Sequence, residues 1–598
     1  MSNKSCLAVT RIKECWDADG SVVFLDAGVI DYNDKDCLDN VDYKVLESCR
    51  NDDQYYIEIH DFVNKRISRY RDELSVILND FHGVGQDGRY WGILLDIWLL
   101  HFLTVIFDRT LNIKNAQSQA ANIYVKHVKL ERIFFQTSSD FIQQCQADVF
   151  NQYLYAEAAD VLSVEVRDYG SPSHELNLPN DRAKCESLMV RLKKRILVSG
   201  KNAIGIILRA WIKLISPVLI LDGYFSKKDA FAILLRSVGR VVIAPSAIVF
   251  NKQSSKKYNE EARLRLKVRV FDCYDELANR VLGKCFPASF FENYNRIIVG
   301  MSDFESVPVL GSAIGLASND AYKILAGNLI SKGGLLLGFQ HGGGYGILKY
   351  RLLESCERQY VNKFYGWNEI GRKGRVLPTA YLRSLKSLAC RRRKIPIIDF
   401  KDILFVSTNN GRYVFSQHPD NSGRFLTMLD CQFIFFEKLN EKTRDFFLLR
   451  PYPVDYGWHY KERWSDKFSN KIRFDSSKYC SESLVTCRVY VTDHISTTWL
   501  QALFMGVPVV LYFDCDRYGM SSEARKLFEK LRSVGVLYDT PESAAMFLND
   551  AYVDVFTWWD SPKTQNVVRE FKDRFFNASS DFCSAWTDEM LYWTGQKH

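Results

Sequence analysis

The sequence lacks several features that would assign it quickly to a class of protein. Its 15 cysteines include no Cys-x-x-Cys pair and no regular spacing, so neither a disulfide framework nor a zinc ribbon is indicated. We therefore expect free thiols in a reducing cytoplasm. The net charge is only +8 over 598 residues, which is too small for a nucleic-acid-binding chain but compatible with anionic lipids or substrates.

No apolar run is long enough to predict a membrane span. The longest, Tyr90–Phe107, is interrupted by Asp96 and His101 and predicts a buried helix. Residues 1–17 lack the pattern of a secretion signal, so we expect a cytoplasmic protein. A second run, Leu188–Ile215, mixes basic and apolar residues; it fits either peripheral contact with the inner membrane or a core strand and helix with solvated Lys and Arg.

The chain does contain long stretches in which strands and helices alternate. With 598 residues and 47% hydrophobic residues, about three domains are expected. Residues 1–185 are predicted to be a mostly helical addition, with one strand at Val22–Leu25. Residues 186–392 and 400–560 predict an α/β fold of two Rossmann-like domains that face a cleft. Residues 561–598 are predicted to form helices that pack back on the first of these domains.

The predicted strand ends of the first Rossmann-like domain indicate where chemistry is expected. Its strands are predicted at Pro217–Leu221, Arg240–Ala244, Arg296–Gly300 and Leu335–Phe339. Ligands of open α/β sheets bind beyond the carboxyl ends of the strands. Asp222 and Asp303, which follow two of these strands, are therefore candidate catalytic carboxylates.

A glycine-rich loop follows the last of these strands. His341 comes directly before Gly342, Gly343 and Gly344. Glycines let a ligand approach the main chain closely, and a histidine at a strand end can act as a general base or a phosphate partner. A flexible turn with an incidental histidine is the alternative interpretation.

The second Rossmann-like domain contains an arginine at a predicted strand end. Arg450 is followed by Pro451, Tyr452, Pro453 and Asp455. Proline restricts the backbone, so the segment predicts a cation held in a fixed position at the carboxyl edge of the sheet. We predict that Arg450, Tyr452 and Asp455 contribute to a nucleotide-donor site.

A hydroxyl-rich segment continues that domain. A strand leads into Asp493 and His494, and Ser496, Thr497 and Thr498 precede a helix that contains Gln501. A helix start offers uncommitted N–H groups and a positive dipole end, which suit a donor phosphate, so these three hydroxyls, together with His494 and Gln501, are predicted to bind the donor. Helix capping alone is the alternative role for the hydroxyls. The segment 514–516 imitates an Asp-x-Asp metal motif, but it follows a second-domain strand and is interpreted as a loop, so no metal is expected.

Several of these motifs together resemble a known family. They are LAVTRIKECWD near the start, FQHGGGYG at 339–346, LLRPYPVDYGW at 448–458 and DHISTTWLQALFMGVPVV at 493–510. In this order they resemble the transferases of bacterial O-antigen and capsule loci, a family named from a Leptospira cluster. The resemblance extends almost from end to end. It implies a glycosyltransferase of GT-B build.

More distantly, the layout is similar to Kdo transferases, sialic-acid-like sugar transferases and CDP-glycerol glycerophosphotransferases. In the last group a His-Gly pair acts as base, which His341-Gly342 matches, and paired hydroxyls on a helix hold the donor phosphate, which Ser496–Thr498 matches. The chain departs from that group in Arg450-Pro451, where His-Pro is expected, and in its three glycines, where Gly-Thr-Pro is expected. The resemblance therefore favours sugar transfer over polyol-phosphate transfer.

The expected function is transfer of a sugar, such as Kdo or a sialic-acid-like ulosonic acid, from a CMP donor to a lipid-linked O-antigen or capsule glycan. His341 would act as base or acid, and Asp222 or Asp303 would face the transferred sugar. No cofactor and no nucleic-acid partner is expected. A CDP-polyol phosphotransferase and a non-catalytic scaffold with a nucleotide-binding fold remain the alternatives.

Overall fold

The computed structural model describes residues 4–16, 20–39, 41–130, 133–169, 205–250, 258–368, 371, 377, 379–420, 422–469, 471–576 and 581–595. Their strands form three sheets, which we call the N-terminal, middle and C-terminal sheets, and all strands within each sheet pair in parallel. The predicted boundary at 185 and the predicted run 188–204 lie outside the described residues.

The N-terminal sheet has five strands. In spatial order they are Tyr43–Val45, Val22–Phe24, Ser5–Ala8, Ile123–His127 and Glu165–Asp168. The helices of this part are Asp53–His82, Gly88–Gln119, Ser138–Gln144 and Asp148–Val161. The region is mostly helical, as predicted, but the sequence indicated only one of its strands, because strands of three to five residues are too short to show an alternating pattern.

The middle sheet also has five strands. Their spatial order is Lys363–Tyr365, Leu335–Phe339, Val309–Ser312, Val218–Leu221 and Val241–Ala244. The associated helices are 205–215, Lys227–Arg236, Ser246–Val249, Glu260–Arg263, Cys273–Cys285, Tyr294–Val299, Gly315–Ser318, Asp320–Ser331 and Leu352–Tyr360.

One strand of the middle sheet was predicted at the wrong place. The apolar run Arg296–Gly300 belongs to the helix Tyr294–Val299, and the central strand is Val309–Ser312. A short apolar run does not distinguish a buried strand from a helix, and here the helical packing of Tyr294 and Ile297 decides the outcome. As a consequence, Asp303 does not follow a strand.

The C-terminal sheet has six strands in the 3-2-1-4-5-6 order of Rossmann folds. In space they are Arg473–Phe474, Phe447–Arg450, Ile403–Val406, Val489–Thr492, Val509–Tyr512 and Leu537–Tyr538. The remaining helices are Ala380–Arg383, Lys386–Arg392, Phe425–Lys438, Glu441–Arg444, Tyr460–Lys467, Cys480–Thr486, Thr498–Met505, Ser522–Ser533, Pro541–Ala551, Val555–Trp559, Pro562–Phe575 and Phe582–Thr594. The last of these packs on the middle sheet, where Trp586 contacts Phe225 and Phe339.

The long apolar run near residue 100 is a buried helix, as predicted. Helix Gly88–Gln119 begins where Asp87 accepts a hydrogen bond from the N–H of Tyr90 at 2.8 Å. Among the described residues it is the one helix long and apolar enough to cross a membrane, but its apolar window is wholly buried in the protein. The helix packs against Asp53–His82 and Asp320–Ser331, so the N-terminal and middle parts share a continuous core.

The middle and C-terminal sheets meet through the loops at the carboxyl ends of their strands. The N–H of Gly343 donates to Oγ1 of Thr497 at 3.0 Å. The N–H of Lys349 donates to the carbonyl of Gly519 at 2.9 Å, and Nε2 of Gln501 donates to the hydroxyl of Tyr381 at 2.6 Å. The predicted α/β fold, with two Rossmann-like domains facing each other in a GT-B-like arrangement, is confirmed.

Candidate active site

His341 lies at the end of strand Leu335–Phe339 and is held by two side chains of its own domain. Its Nε2 is 3.0 Å from Oε1 of Glu357 and 2.5 Å from the hydroxyl of Tyr345. The Tyr345 hydroxyl also donates to Glu357. Glu357 lies on helix Leu352–Tyr360 and is only 3% exposed, whereas the His341 side chain is 17% exposed. A partly accessible imidazole oriented by a carboxylate is an arrangement suited to general acid–base chemistry.

Of the three glycines after His341, Gly343 is the one that brings two loops together. None of Gly342, Gly343 and Gly344 has a positive φ, so the loop does not depend on left-handed backbone conformations at these residues. A Cβ on Gly343 would lie 2.9 Å from the carbonyl oxygen of Ser496, which is closer than packing allows. A side chain at Gly343 would therefore push the loop away from the hydroxyl-rich segment.

The hydroxyls of that segment do not cap the helix that follows them. Thr497 is the N-cap residue of helix Thr498–Met505, and its side chain makes no capping hydrogen bond. Instead, Oγ of Ser496 lies 2.8 Å from Oγ1 of Thr498, which is 2.7 Å from the hydroxyl of Tyr490. The interpretation that these hydroxyls only cap the helix is therefore wrong.

Arg450 occupies the predicted strand end, but it is already paired. Its Nη1 is 2.5 Å from Oδ2 of Asp475 and 3.1 Å from the carbonyl of Ser477. Burial would raise the pKa of Asp475, but hydrogen bonds from Ser483, Ser477 and Arg450 hold it below its ordinary value. A ligand phosphate at Arg450 would have to share the guanidinium with this carboxylate.

Arg450 also lines a cavity of about 570 Å³ at the carboxyl edge of the C-terminal sheet. Tyr452, Lys461 and Lys478 line it as well, and the Tyr452 side chain is 42% exposed. This volume lies within the range of small-molecule sites, roughly 300–1,000 Å³. Asp455, also predicted to bind the donor, accepts hydrogen bonds from the N–H groups of His459 and Tyr460, both at 2.8 Å, and so holds the start of helix Tyr460–Lys467.

His494 lies beneath the hydroxyls and is only 4% exposed. Its Nδ1 is 2.8 Å from Oγ1 of Thr492 and 3.1 Å from Oδ1 of Asp493. Asp493 in turn accepts a hydrogen bond from Nε2 of Gln432 at 2.7 Å. The imidazole is thus fixed by its neighbours in the sheet.

Gln501 connects the two domains. Its Nε2 donates to the Tyr381 hydroxyl, and the Tyr381 ring stacks on Trp367 with centroids 5.4 Å apart. The N–H of Trp367 donates to Oε1 of Gln340, the residue before His341. Gln501 therefore supports the end of the His341 strand from across the cleft.

The two candidate aspartates lie at different edges of the middle sheet. Asp222 follows strand Val218–Leu221 with φ +51°, and its Oδ1 accepts a hydrogen bond from the N–H of Ser246 at 3.0 Å. Asp303 lies in the turn Ser302–Phe304, before strand Val309–Ser312 begins, and its Oδ2 is 3.5 Å from Nη1 of Arg209. The prediction of Asp303 as a strand-end carboxylate is wrong, because the strand follows it instead of preceding it.

A charged group on loop 407–420, which follows strand Ile403–Val406 of the C-terminal sheet, was not predicted from the sequence. Asp420 is 2% exposed and accepts hydrogen bonds from the Tyr518 hydroxyl at 2.7 Å and from Arg517. Its N–H donates to Nδ1 of His418 at 3.2 Å. Burial lowers the pKa of His418, Asp420 opposes this, and Arg351 and other cations lower it further.

This loop is anchored to the N-terminal part of the chain. Nη1 of Arg109 donates to the carbonyl of Val414 at 2.8 Å, and the Tyr413 hydroxyl donates to Asp148 at 2.5 Å. This loop could have been predicted from its position, because it directly follows strand Ile403–Val406. The other loops of the site were predicted from the same position after a strand.

Among the described residues, no group of three or more His, Cys, Asp or Glu side chains is arranged to hold a metal ion. The exposed Asp514 accepts a hydrogen bond from the N–H of Asp516, whose carboxylate pairs with Arg525. Metal independence of the chemistry stays a prediction.

Comparisons with known proteins identify a family. A family model described as LIC12162 family transferase matches residues 5–590. No curated protein matches the chain.

Solved structures give only remote similarities. The wall teichoic acid polymerase TagF aligns at 13% identity with a TM-score of 0.33, covering 68% of this chain and 96% of that one. MurG of Acinetobacter baumannii aligns at 11% identity with a TM-score of 0.32, covering 63% and 99%. WaaG, a glycosyltransferase involved in lipopolysaccharide biosynthesis, aligns at 10% identity with a TM-score of 0.27, covering 63% and 100%. These TM-scores are too low to inform the site.

Proposed function

Because the chain belongs to the LIC12162 family of transferases, we propose that it is a cytoplasmic glycosyltransferase, which moves a sugar from a nucleotide donor to a glycan acceptor. One observation carries the proposal: the His341 loop and the hydroxyl-rich helix start touch, with the N–H of Gly343 3.0 Å from Oγ1 of Thr497. A proton-transfer group and a phosphate-binding helix start then face the same cleft, which suits transfer from a nucleotide donor.

The C-terminal side of the cleft would bind the donor. The amides at the start of helix Thr498–Met505, its positive dipole end and the hydroxyls of Ser496 and Thr498 would hold the phosphate. Arg450 and the cavity it lines would accept the rest of the nucleotide, with Tyr452 at its surface. In this proposal the leaving phosphate is stabilised by protein groups alone, so activity should survive removal of divalent cations.

The middle side would act on the acceptor. His341, oriented by Glu357 and Tyr345, would take the proton of the attacking hydroxyl or return one to the leaving group. Asp222 lies at the same edge of the sheet and is the remaining candidate for a carboxylate near the transferred sugar.

The donor we propose is a CMP-linked ulosonic acid, Kdo or a sialic-acid-like sugar, and the acceptor is a lipid-linked O-antigen or capsule glycan. Two points support this choice. The strand-end arginine supplies a fixed charge for a donor phosphate, and the layout of the chain is similar to that of transferases that use cytidylyl donors.

Isothermal titration of the full chain with CMP, CDP and UDP tests the proposal. CMP should bind most tightly, and Thr498→Val should weaken it about two- to tenfold, the effect of one neutral hydrogen bond. Thr540→Val is the matched control, since Thr540 caps a different helix, Pro541–Ala551. Selective binding of CDP would instead indicate a polyol phosphotransferase. No nucleotide binding at all would refute the proposal and leave a scaffold role.

A further inference from the structure

An unusual share of the exposed apolar side chains lies in one short stretch. The described residues include 23 large hydrophobic side chains that are exposed, and nine of them fall between Ile206 and Val238. Leu214 is 76% exposed and Val238 is 81% exposed. Isolated exposed apolar residues are common on protein surfaces, but a concentration of this kind marks an interaction site.

These side chains form one surface on two adjacent helices. On helix 205–215 the residues Ile207, Trp211 and Leu214 are spaced four and three residues apart, so they share one face. The residues Phe231, Leu235 and Val238, in and just after helix Lys227–Arg236, have the same spacing. We call these six residues the apolar face.

The contact between the helices is direct. Nε1 of Trp211 donates to the carbonyl of Gly239 at 3.3 Å. Gly239 has φ +77°, and a Cβ there would overlap the Trp211 ring, so only glycine permits this approach. Between the helices lies an open apolar groove of about 1,020 Å³.

The exposed charges in the stretch that forms the apolar face all have one sign, while Asp303, outside this stretch, pairs with Arg209 of helix 205–215. In the described stretch 205–250 the exposed charged side chains are Lys213, Lys227, Lys228, Arg236 and Arg240. The acidic residues Asp222 and Asp229 of the same stretch are partly buried, and Asp229 is paired with Arg383. A two-fold contact with a second copy would bring these basic side chains together, whereas an anionic lipid surface complements both the charge and the apolar area.

We propose that the apolar face, with its basic rim, docks on the surface of an anionic lipid bilayer. Its groove extends to Asp222 and Tyr224, at the edge of the middle sheet from which His341 projects. The Tyr224 ring contacts the Tyr381 ring, and the Tyr381 hydroxyl accepts a hydrogen bond from Gln501 in the cleft. Docking in this way would place the cleft beside the lipid surface. The proposal concerns lipid binding alone and does not depend on the proposed transferase chemistry.

Co-sedimentation of the full chain with vesicles tests the proposal. The protein should bind vesicles of phosphatidylcholine with phosphatidylglycerol, and bind less at high salt, because the basic rim is screened. The double variant Phe231→Glu/Leu235→Glu should bind at least roughly tenfold more weakly. It replaces two apolar side chains that would insert into the lipid with carboxylates, which have the same negative charge as the lipid headgroups. Lys227→Glu/Lys228→Glu should lose the preference for phosphatidylglycerol.

The matched control is Val76→Glu/Val553→Glu, which alters two apolar side chains exposed to 69% and 75% elsewhere. It should bind vesicles like the unaltered chain. Unchanged melting temperatures and unchanged CMP titrations would show that folding and the nucleotide site are intact in each variant. Absence of vesicle binding by the unaltered chain would overturn the proposal, as would equal losses in the control. If light scattering shows a dimer for the unaltered chain and the control but a monomer for Phe231→Glu/Leu235→Glu, the apolar face is a self-association surface and the lipid proposal is wrong.

Discussion

The two sides of the cleft are built in different ways. On the middle side, His341 is oriented by Glu357 and Tyr345, which belong to the same domain and lie within 16 residues of it. On the C-terminal side, two arginines are each matched by a carboxylate, Arg450 by Asp475 and Arg517 by Asp420. The middle side thus presents one reactive group in a fixed orientation, and the C-terminal side presents two arginines whose charges are already compensated.

This difference indicates a division of work. A group that transfers a proton must be held in one geometry, which the Glu357 contact supplies. A site that binds and releases an anion must not leave its cations bare in the empty state, because burying an unpaired charge is costly. Substitutions on the middle side should therefore change turnover, and substitutions on the C-terminal side should change donor affinity.

The largest effect is expected for His341→Ala. Turnover should fall by roughly 10²–10⁴-fold, the contribution of a positioned acid or base, while CMP affinity stays nearly unchanged. Steady-state kinetics together with calorimetry would measure both. Asp303→Asn is the control and should retain turnover, because its carboxylate lies before the central strand and away from the cleft edge. Loss of activity in Asp222→Asn with normal activity in His341→Ala would move the chemistry to the carboxylate.

Glu357→Gln should have the next largest effect. It keeps the size of the side chain but removes the carboxylate that orients His341, so turnover should fall by about 10²-fold, less than in His341→Ala. Glu354→Gln, one turn earlier on the same helix, removes an equal charge and should have a smaller effect. Equal losses in both variants would show that the helix, and not the His341 contact, is what matters.

Arg450→Ala should weaken CMP binding by about 10- to 100-fold without changing turnover at saturation, because a charge-assisted hydrogen bond to phosphate is lost. The change also leaves the Asp475 carboxylate without its cation, which can destabilise the fold. The double variant Arg450→Ala/Asp475→Asn removes both charges, so a loss of CMP affinity that persists in it reports on binding and not on stability. Arg473→Ala breaks a more exposed pair, with Asp402, that does not line the cavity, and it is the control for the loss of an arginine. If CMP affinity is the same with and without Arg450, the arginine is structural.

The smallest effect concerns His418, whose side chain is 36% exposed and whose pKa is lowered by desolvation and by the nearby cations, against the effect of Asp420. Its ordinary pKa is about 6.5, so the neutral form contributes stability above that pH, and this contribution is lost as pH falls below it. Asp420→Asn should lower the pKa of His418 further, and Arg517→Leu should raise it, as NMR titration of the imidazole would show. Titration of His418 at its ordinary pKa would contradict this lowering of its pKa.

Much of the cleft could be predicted because its signals are local. The strand–turn–helix pattern around Ser496–Thr498 and the position of His341 after a buried strand are each contained in about 20 residues, and both fall where the sequence placed them. The failures came where the local pattern fits two structures. The run before Met301 fits a strand or a helix, and that ambiguity misplaced Asp303.

By itself, therefore, the sequence determined the two Rossmann-like domains, the two motif loops and the arginine at a strand end, because these depend on periodicity and on residues close together in the chain. Only the tertiary structure decided which residues these groups contact. Arg450 is neutralised by Asp475, loop 407–420 brings the buried Asp420 against His418 and Arg517, and Gly343 meets Thr497 from 154 residues away. Partners of this kind are set by how sheets and helices pack, and the three-to-five-residue strands of the N-terminal sheet likewise become strands only when their neighbours pair with them.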